Sequence, residues 1–190
     1  MRHLKIRRFT ESSVLLALLI CLQWAGSLIP TQLTKQLVTG SFVNCVLAVT
    51  VLFSGLGSAI AVSLFSPVFA FLLGIAPNLI TVVPIMLGNA CYVALLHWLY
   101  RRTLPGKGLA LLAASLGKFT VLYALVVGII CGPASGVLLG KKLGGAVLLA
   151  PPMLTLLPTM FSWPQLVTAL IGGSLALAVT PVLGKALGRR

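Results

Sequence analysis

The chain has 190 residues, of which 59% are hydrophobic and 8% charged, and its mean hydropathy is +1.12. A soluble domain carries about a quarter charged residues, so this composition excludes a water-facing surface and implies an integral membrane protein of one compact unit. The net charge of +13 does not point to nucleic acid, because the cations sit in small groups between apolar runs, the positive-inside pattern, rather than along one soluble face.

The N-terminus reads "MRHLKIRRF", then "VLLALLICL", then "WAGS", which has the form of a secretory leader. Further apolar segments follow, so the first run is expected to remain as the first span. A spanning helix needs about 20 mostly apolar residues. Six segments are expected to be spans: 11–29, 41–55, 57–75, 79–100, 109–131 and 163–187. The second is short and runs into "SGLGS" at 54–58, read as a tight turn. Membrane β-strands alternate apolar and polar residues, and these runs do not. The predicted fold is an all-α integral membrane protein, a bundle of six transmembrane helices with a long extracellular loop before the last helix.

With the N-terminus inside, the inner segments hold Arg2, Lys5, Arg7, Arg8, Arg101, Arg102, Lys107, Lys185, Arg189 and Arg190. The outer loops, 30–40, 76–78 and 132–162, hold only Lys35, Lys141 and Lys142. The bias puts both termini on the cytoplasmic side. The 132–162 segment is too apolar for a free loop and is broken by Pro133, Pro151, Pro152 and Pro158. It reads either as a lid over an outward-facing pocket or as a kinked apolar segment lying in the interface. It ends in "SWPQ", where Ser162 and Gln165 are expected to form a capping box on the last helix, with Pro164 in its first turn. Trp163 is then held at the outer mouth, either against a ligand or as an interfacial belt residue.

Chemistry of the catalytic kind has little to stand on. There is no HExxH, GxSxG or GxxxxGK[ST] motif, and the histidines are His3 and His97. Cys21, Cys45, Cys91 and Cys131 show no CxxC spacing and read as small apolar packing residues. No cofactor, metal or enzymatic activity is expected. Glu11, at the inner edge of the first span, is the one carboxylate side chain, which disfavours a proton-driven transporter.

Polar side chains inside the apolar runs remain. Lys118 stands about 14 Å along its helix from Leu109, and Asn89 about 16 Å from Tyr100 on the antiparallel neighbour, at 1.5 Å per residue. They therefore share a depth. Ser115 shares the face of Lys118, and Tyr92 that of Asn89. This cluster suits a small polar anion, since an intramembrane lysine marks a functional site by default. The alternative is a shifted helix in which Lys118 snorkels to the headgroups. Asn44 and Asn78, near the outer helix ends, are candidates for ligand contact or for turns and caps. Ser13, Ala17, Cys21 and Ala25 form a small-residue stripe at intervals of four. It suits close helix packing, within the bundle or against a separate membrane subunit.

The stretches "VTGSFVNCVLAVTVLFSGLGSAIAVSLFSPVFAFLLG" (38–74), "VPIMLGNACYVALLHW" (83–98) and "SLGKFTVLYALVV" (115–127) resemble the S components of energy-coupling factor (ECF) transporters. The resemblance covers nearly the whole chain, and "SPVFAFLLG" with "PIMLGNA" carries most of it. It implies a subunit of the bacterial cell membrane that captures a vitamin or similar micronutrient from outside. It also implies as partners a transmembrane coupling subunit and two cytoplasmic ATPases, whose ATP hydrolysis topples the S component in the bilayer. By the same resemblance the pocket is lined by the last three helices and capped by outer loops, which points to Asn89, Tyr92, Lys118, Tyr123 and Trp163. The family's AxxxA-like coupling motif corresponds here to Ala17 and Cys21, with Cys in place of the second Ala. Two other functions stay open: a structural or assembly subunit of another membrane complex, and an autonomous small-molecule permease.

Overall fold

The computed structural model describes residues 2–76, 78–101, 106–186 and 188. Pro77 of the expected 76–78 loop, Leu187 at the expected end of the last span, and Arg102, Arg189 and Arg190 lie outside the described residues, as do the side chains of Arg2, Lys5 and Arg101. The chain is helical almost throughout, as its apolar runs require, because a helix satisfies its own backbone where no water is available. In order, the elements are α1 (Arg2–Ser27), α2 (Gln32–Phe53), α3 (Leu56–Leu72), α4 (Leu79–Arg101) and α5 (Lys107–Leu122). A π-helical stretch, Tyr123–Ile130, continues α5. Then come α6 (Ser135–Leu138), a hairpin of β1 (Lys142–Leu143) and β2 (Ala146–Val147), α7 (Met153–Met160) and α8 (Trp163–Ala186).

Five stretches are long and apolar enough to cross a membrane: Ile6–Ser27, Gln32–Phe53, Leu79–Tyr100, Lys107–Ile130 and Met153–Ala186. The apolar helix α3 is shorter, at 17 residues. The turn expected at 54–58 is present, with Gly55 at φ 91° between α2 and α3.

Residues 30–40 are not the loop expected from their polarity, since α2 begins at Gln32. Gln32, Lys35, Gln36 and Thr39 stand at i, i+3, i+4 and i+7, so their polar side chains share one face while Leu33, Leu37 and Val38 lie elsewhere on the helix. A hydropathy average over the segment hides that division.

The 132–162 segment is likewise folded rather than a free loop. Leu149, Leu157 and Phe161 are buried, and they pack on Leu122, Val126 and Ile130 of α5 and its π-helical continuation. Asn78 ties the segment down from below, donating from Nδ2 to the carbonyl of Leu148 and lying 3.0 Å from Met153 Sδ. The capping box at "SWPQ" does not form. Ser162 Oγ donates instead to Thr159 O at 3.1 Å, and Gln165 Nε2 donates to Met160 O at 3.2 Å. The close end of α7 supplies unpaired carbonyls that compete for these side chains.

Helix α2 packs against α8, α1 and α3, and α4 packs against α5 and α3. Glycines set the closest approaches. A Cβ on Gly172 of α8 would lie 2.3 Å from Ser41 O and 2.7 Å from Asn44 Cβ. A Cβ on Gly173 would lie 2.6 Å from Tyr92 Oη. The neighbouring pair therefore lets α8 seat directly on α2 and on the α4 tyrosine, the way small residues bring membrane helices together. Helix α1 is the least enclosed, and Ser13, Ala17, Cys21 and Ala25 are all exposed on it. The stripe is thus not used for packing within the described bundle.

Candidate functional site

Between α1, α2, α3, α4 and α5, and beneath α7, lies a cavity of about 650 Å³. That is within the usual size range for a small-molecule site. The lining of α2 runs down one face through Gln32, Lys35, Gln36, Thr39, Gly40, Val43 and Asn44. Gln23 enters from α1, Ser66, Pro67 and Ala70 from α3, Ile85 and Asn89 from α4, and Lys118 from α5. Met153, Leu156, Met160 and Phe161 cover it from α7 and the residue after it, and Gln165 closes one side from α8.

Lys118 forms the floor. It sits inside a helix that begins at Lys107, so the shifted span that would let it snorkel is not the one formed. Its side chain is 3% exposed. Nζ donates to Asn44 Oδ1 at 2.6 Å and to Asn89 Oδ1 at 2.7 Å, and lies 5.7 Å from the centroid of the Tyr92 ring. Two amide dipoles and a ring face thus solvate an ammonium that has no carboxylate beside it among the described residues. A hydrogen bond to a charged group contributes about 1.5–3 kcal/mol, and a cation over a ring roughly 0.5–2 kcal/mol. Tyr92 is held in place in turn, with Oη 3.4 Å from Ala169 O.

The lysine also dictates the amide orientations. An ammonium is a pure donor, so the atoms facing it must be the oxygens of Asn44 and Asn89. Asn44 Nδ2 then donates to Gly40 O at 2.8 Å and reaches Thr168 Oγ1 at 3.4 Å. Asn89 Nδ2 is buried and has no partner among the described residues. A buried amide N–H left unpaired is costly, by about 1–3 kcal/mol. A buried, unsatisfied N–H donor therefore stands beside a positive charge at the floor, a combination whose chemistry suits a carboxylate or another electron-rich oxygen. Glu11 is remote from it: its Oε1 pairs with Arg7 at 3.0 Å and its Oε2 accepts from Ser54 at 3.3 Å.

A second group of polar atoms lines the wall. Gln23 and Ser66 are buried, with Nε2 of the former 3.5 Å from Oγ of the latter, and both Gln23 Oε1 and Thr39 Oγ1 lack partners. At the mouth, Gln36 Nε2 donates to the carbonyl of Met160, the same acceptor that Gln165 uses.

The structure brings Lys118, Asn89 and Asn44 together at the cavity. Tyr92 supports them from behind and is not a lining residue. Ser115 is fully buried one turn away, its hydroxyl unpartnered, and also outside the lining. Asn78 holds the 132–162 segment. Tyr123 and Trp163 are 45% and 52% exposed and do not reach the cavity. The lining extends beyond α4, α5 and α8 to α1, α2 and α3. Gln23, Gln32, Lys35, Gln36, Thr39, Ser66 and Gln165 are lining residues that the sequence reading passed over. The polar i, i+3, i+4, i+7 spacing from Gln32 to Thr39 was the signal that could have found four of them.

No family model matches the chain, and no curated protein or solved structure matches it.

Proposed function

We propose that the chain is the substrate-binding subunit of a micronutrient uptake system of the ECF type, and that its cavity takes a small anionic ligand. The observation that carries this reading is the buried Lys118, paired with two amide oxygens and flanked by the unpartnered Asn89 Nδ2, at the floor of a ligand-sized cavity. Among the described residues nothing uses that donor, and a carboxylate would satisfy it. In this reading α3 is the sixth span, both termini are cytoplasmic, and the 132–162 segment covers the cavity from the outside of a bacterial cell membrane. The exposed stripe on α1 faces the transmembrane coupling subunit, and two cytoplasmic ATPases supply the energy. The binding subunit itself carries out no chemistry.

The test is the ligand. Purified protein, denatured and extracted, should release a small anion identifiable by mass spectrometry. Lys118→Met keeps much of the side-chain length and removes the charge. Calorimetry with the released ligand should show binding weakened by about two to three and a half decades, the loss expected when one member of a buried charge pair is removed. Undiminished binding by a folded Lys118→Met protein would refute the anion reading. A purified protein that neither retains nor binds any small molecule would favour a structural subunit.

A further inference from the structure

The cavity has a second cation, and the two are far apart. Lys35 lines the mouth and Lys118 the floor, while no carboxylate is found among the described lining residues. Lys35 lies on α2 nine residues before Asn44, the residue that accepts the Lys118 ammonium at 2.6 Å. Nine residues of helix separate the two levels by about 14 Å along the axis. Lys35 is half-buried; its backbone N–H donates to Thr31 O at 2.8 Å, and no hydrogen bond or ion pair of its side chain is found among the described residues. Between the two levels the lining is mixed. Val43, Pro67, Ala70, Ile85 and Phe161 offer apolar contact, and Thr39 leaves its buried hydroxyl oxygen unpaired.

Resting on the anion reading of the floor, we propose that the cavity is a two-point anion site selecting an elongated ligand with an acidic group at each end. One group meets Lys118 and Asn89, and the other meets Lys35 at the mouth. A compact monoanion fills the floor and leaves Lys35 unpaired, whereas an elongated dianion neutralises both cations and lays its body along the α2 face. The mouth contact is wetter than the floor contact, so the two contribute unequally. A partly exposed pair adds only roughly a fivefold gain, but it sets the length the site prefers.

The experiment uses the full-length protein in detergent, emptied of endogenous ligand, with probes of defined charge and length. These are straight-chain α,ω-dicarboxylates from heptanedioate to tridecanedioate, and the monoamide of each. Binding is read by calorimetry. The diacids should show an affinity optimum at one intermediate length, and at that length the diacid should exceed its monoamide by roughly fivefold. Lys35→Met should abolish that excess and the length optimum, and Lys35→Arg should restore both. Lys118→Met should weaken diacid and monoamide alike. Equal binding of diacid and monoamide at every length, or a Lys35→Met protein that keeps the excess, overturns the two-point site while the floor site stands. A Lys118→Met protein with undiminished binding of both overturns the floor reading as well. If no probe of either kind binds, the elongated dianion is overturned.

Discussion

The sharpest perturbation of the floor is Asn89→Asp, which changes one NH₂ to an oxygen and almost nothing else in shape. In the protein, Asn89 Oδ1 accepts from Lys118 Nζ at 2.7 Å and Nδ2 is unpartnered. The substitution places a carboxylate on the ammonium and turns the orphan donor into an acceptor. At an effective dielectric of about 20, opposite unit charges at that separation attract by roughly 6 kcal/mol. Desolvating the new carboxylate opposes this by several kcal/mol, so stability should change little. Binding should change a great deal. An anionic ligand at the floor would now meet a like charge at about 4 Å, a repulsion of about 4 kcal/mol at the same dielectric. That is about three decades of affinity. Asn89→Leu is the control. It removes one acceptor from Lys118, destabilises the fold by about 1.5–3 kcal/mol, and leaves the ammonium charge available to the ligand. The assay is calorimetry with the ligand recovered from the unaltered protein, beside a thermal melt of each variant. The expected order of affinity is unaltered protein, then Asn89→Leu, then Asn89→Asp, while the melting temperatures place Asn89→Leu lowest. If Asn89→Asp binds as well as the unaltered protein, or better, the ligand group at the floor is neutral or cationic and the electrostatic reasoning fails.

Two further outcomes follow from packing. Gly172→Ala puts a methyl 2.3 Å from Ser41 O and 2.7 Å from Asn44 Cβ, against helix backbone that cannot yield. Stability should fall by about 1–3 kcal/mol or more, and ligand affinity with it because Asn44 moves. Gly57→Ala, where nothing lies within 4 Å, should leave both intact in the same melts and titrations. On α1, Ala17→Trp should leave ligand binding by the isolated protein unchanged, because the position is exposed. It should reduce co-purification with a coupling subunit, and a complex that forms normally would show that the exposed stripe is not the docking face.

Composition and run length determined the class of this protein without help from its tertiary structure. A chain that is 59% hydrophobic and 8% charged, with apolar runs that do not alternate with polar residues, calls for long self-bonded helices. The positions of α4, α5 and α8 follow closely from their apolar runs, and the α2–α3 turn from "SGLGS", whereas α1 begins at Arg2, nine residues before the span expected at 11–29. The alignment of Lys118 with Asn89 was also legible, because 1.5 Å per residue in two antiparallel helices fixes relative depth. Three things needed the folded chain. The first was the start of α2: polarity averaged over 30–40 looks like a loop, and only the cavity gives Gln32, Lys35, Gln36 and Thr39 a reason to share a helical face. The second was the direction of side chains. Tyr92, Tyr123 and Trp163 are near the site in sequence terms, but rotation about each helix axis depends on which neighbours pack against it, and the Gly172–Gly173 contact settles that for α2, α4 and α8. The third was the partner of Lys118. With one carboxylate in the chain, sequence leaves its charge without a counter-ion. Folding answers with two amide oxygens from α2 and α4, residues 74 and 29 positions away, and solvation by dipoles at that range exists only in three dimensions.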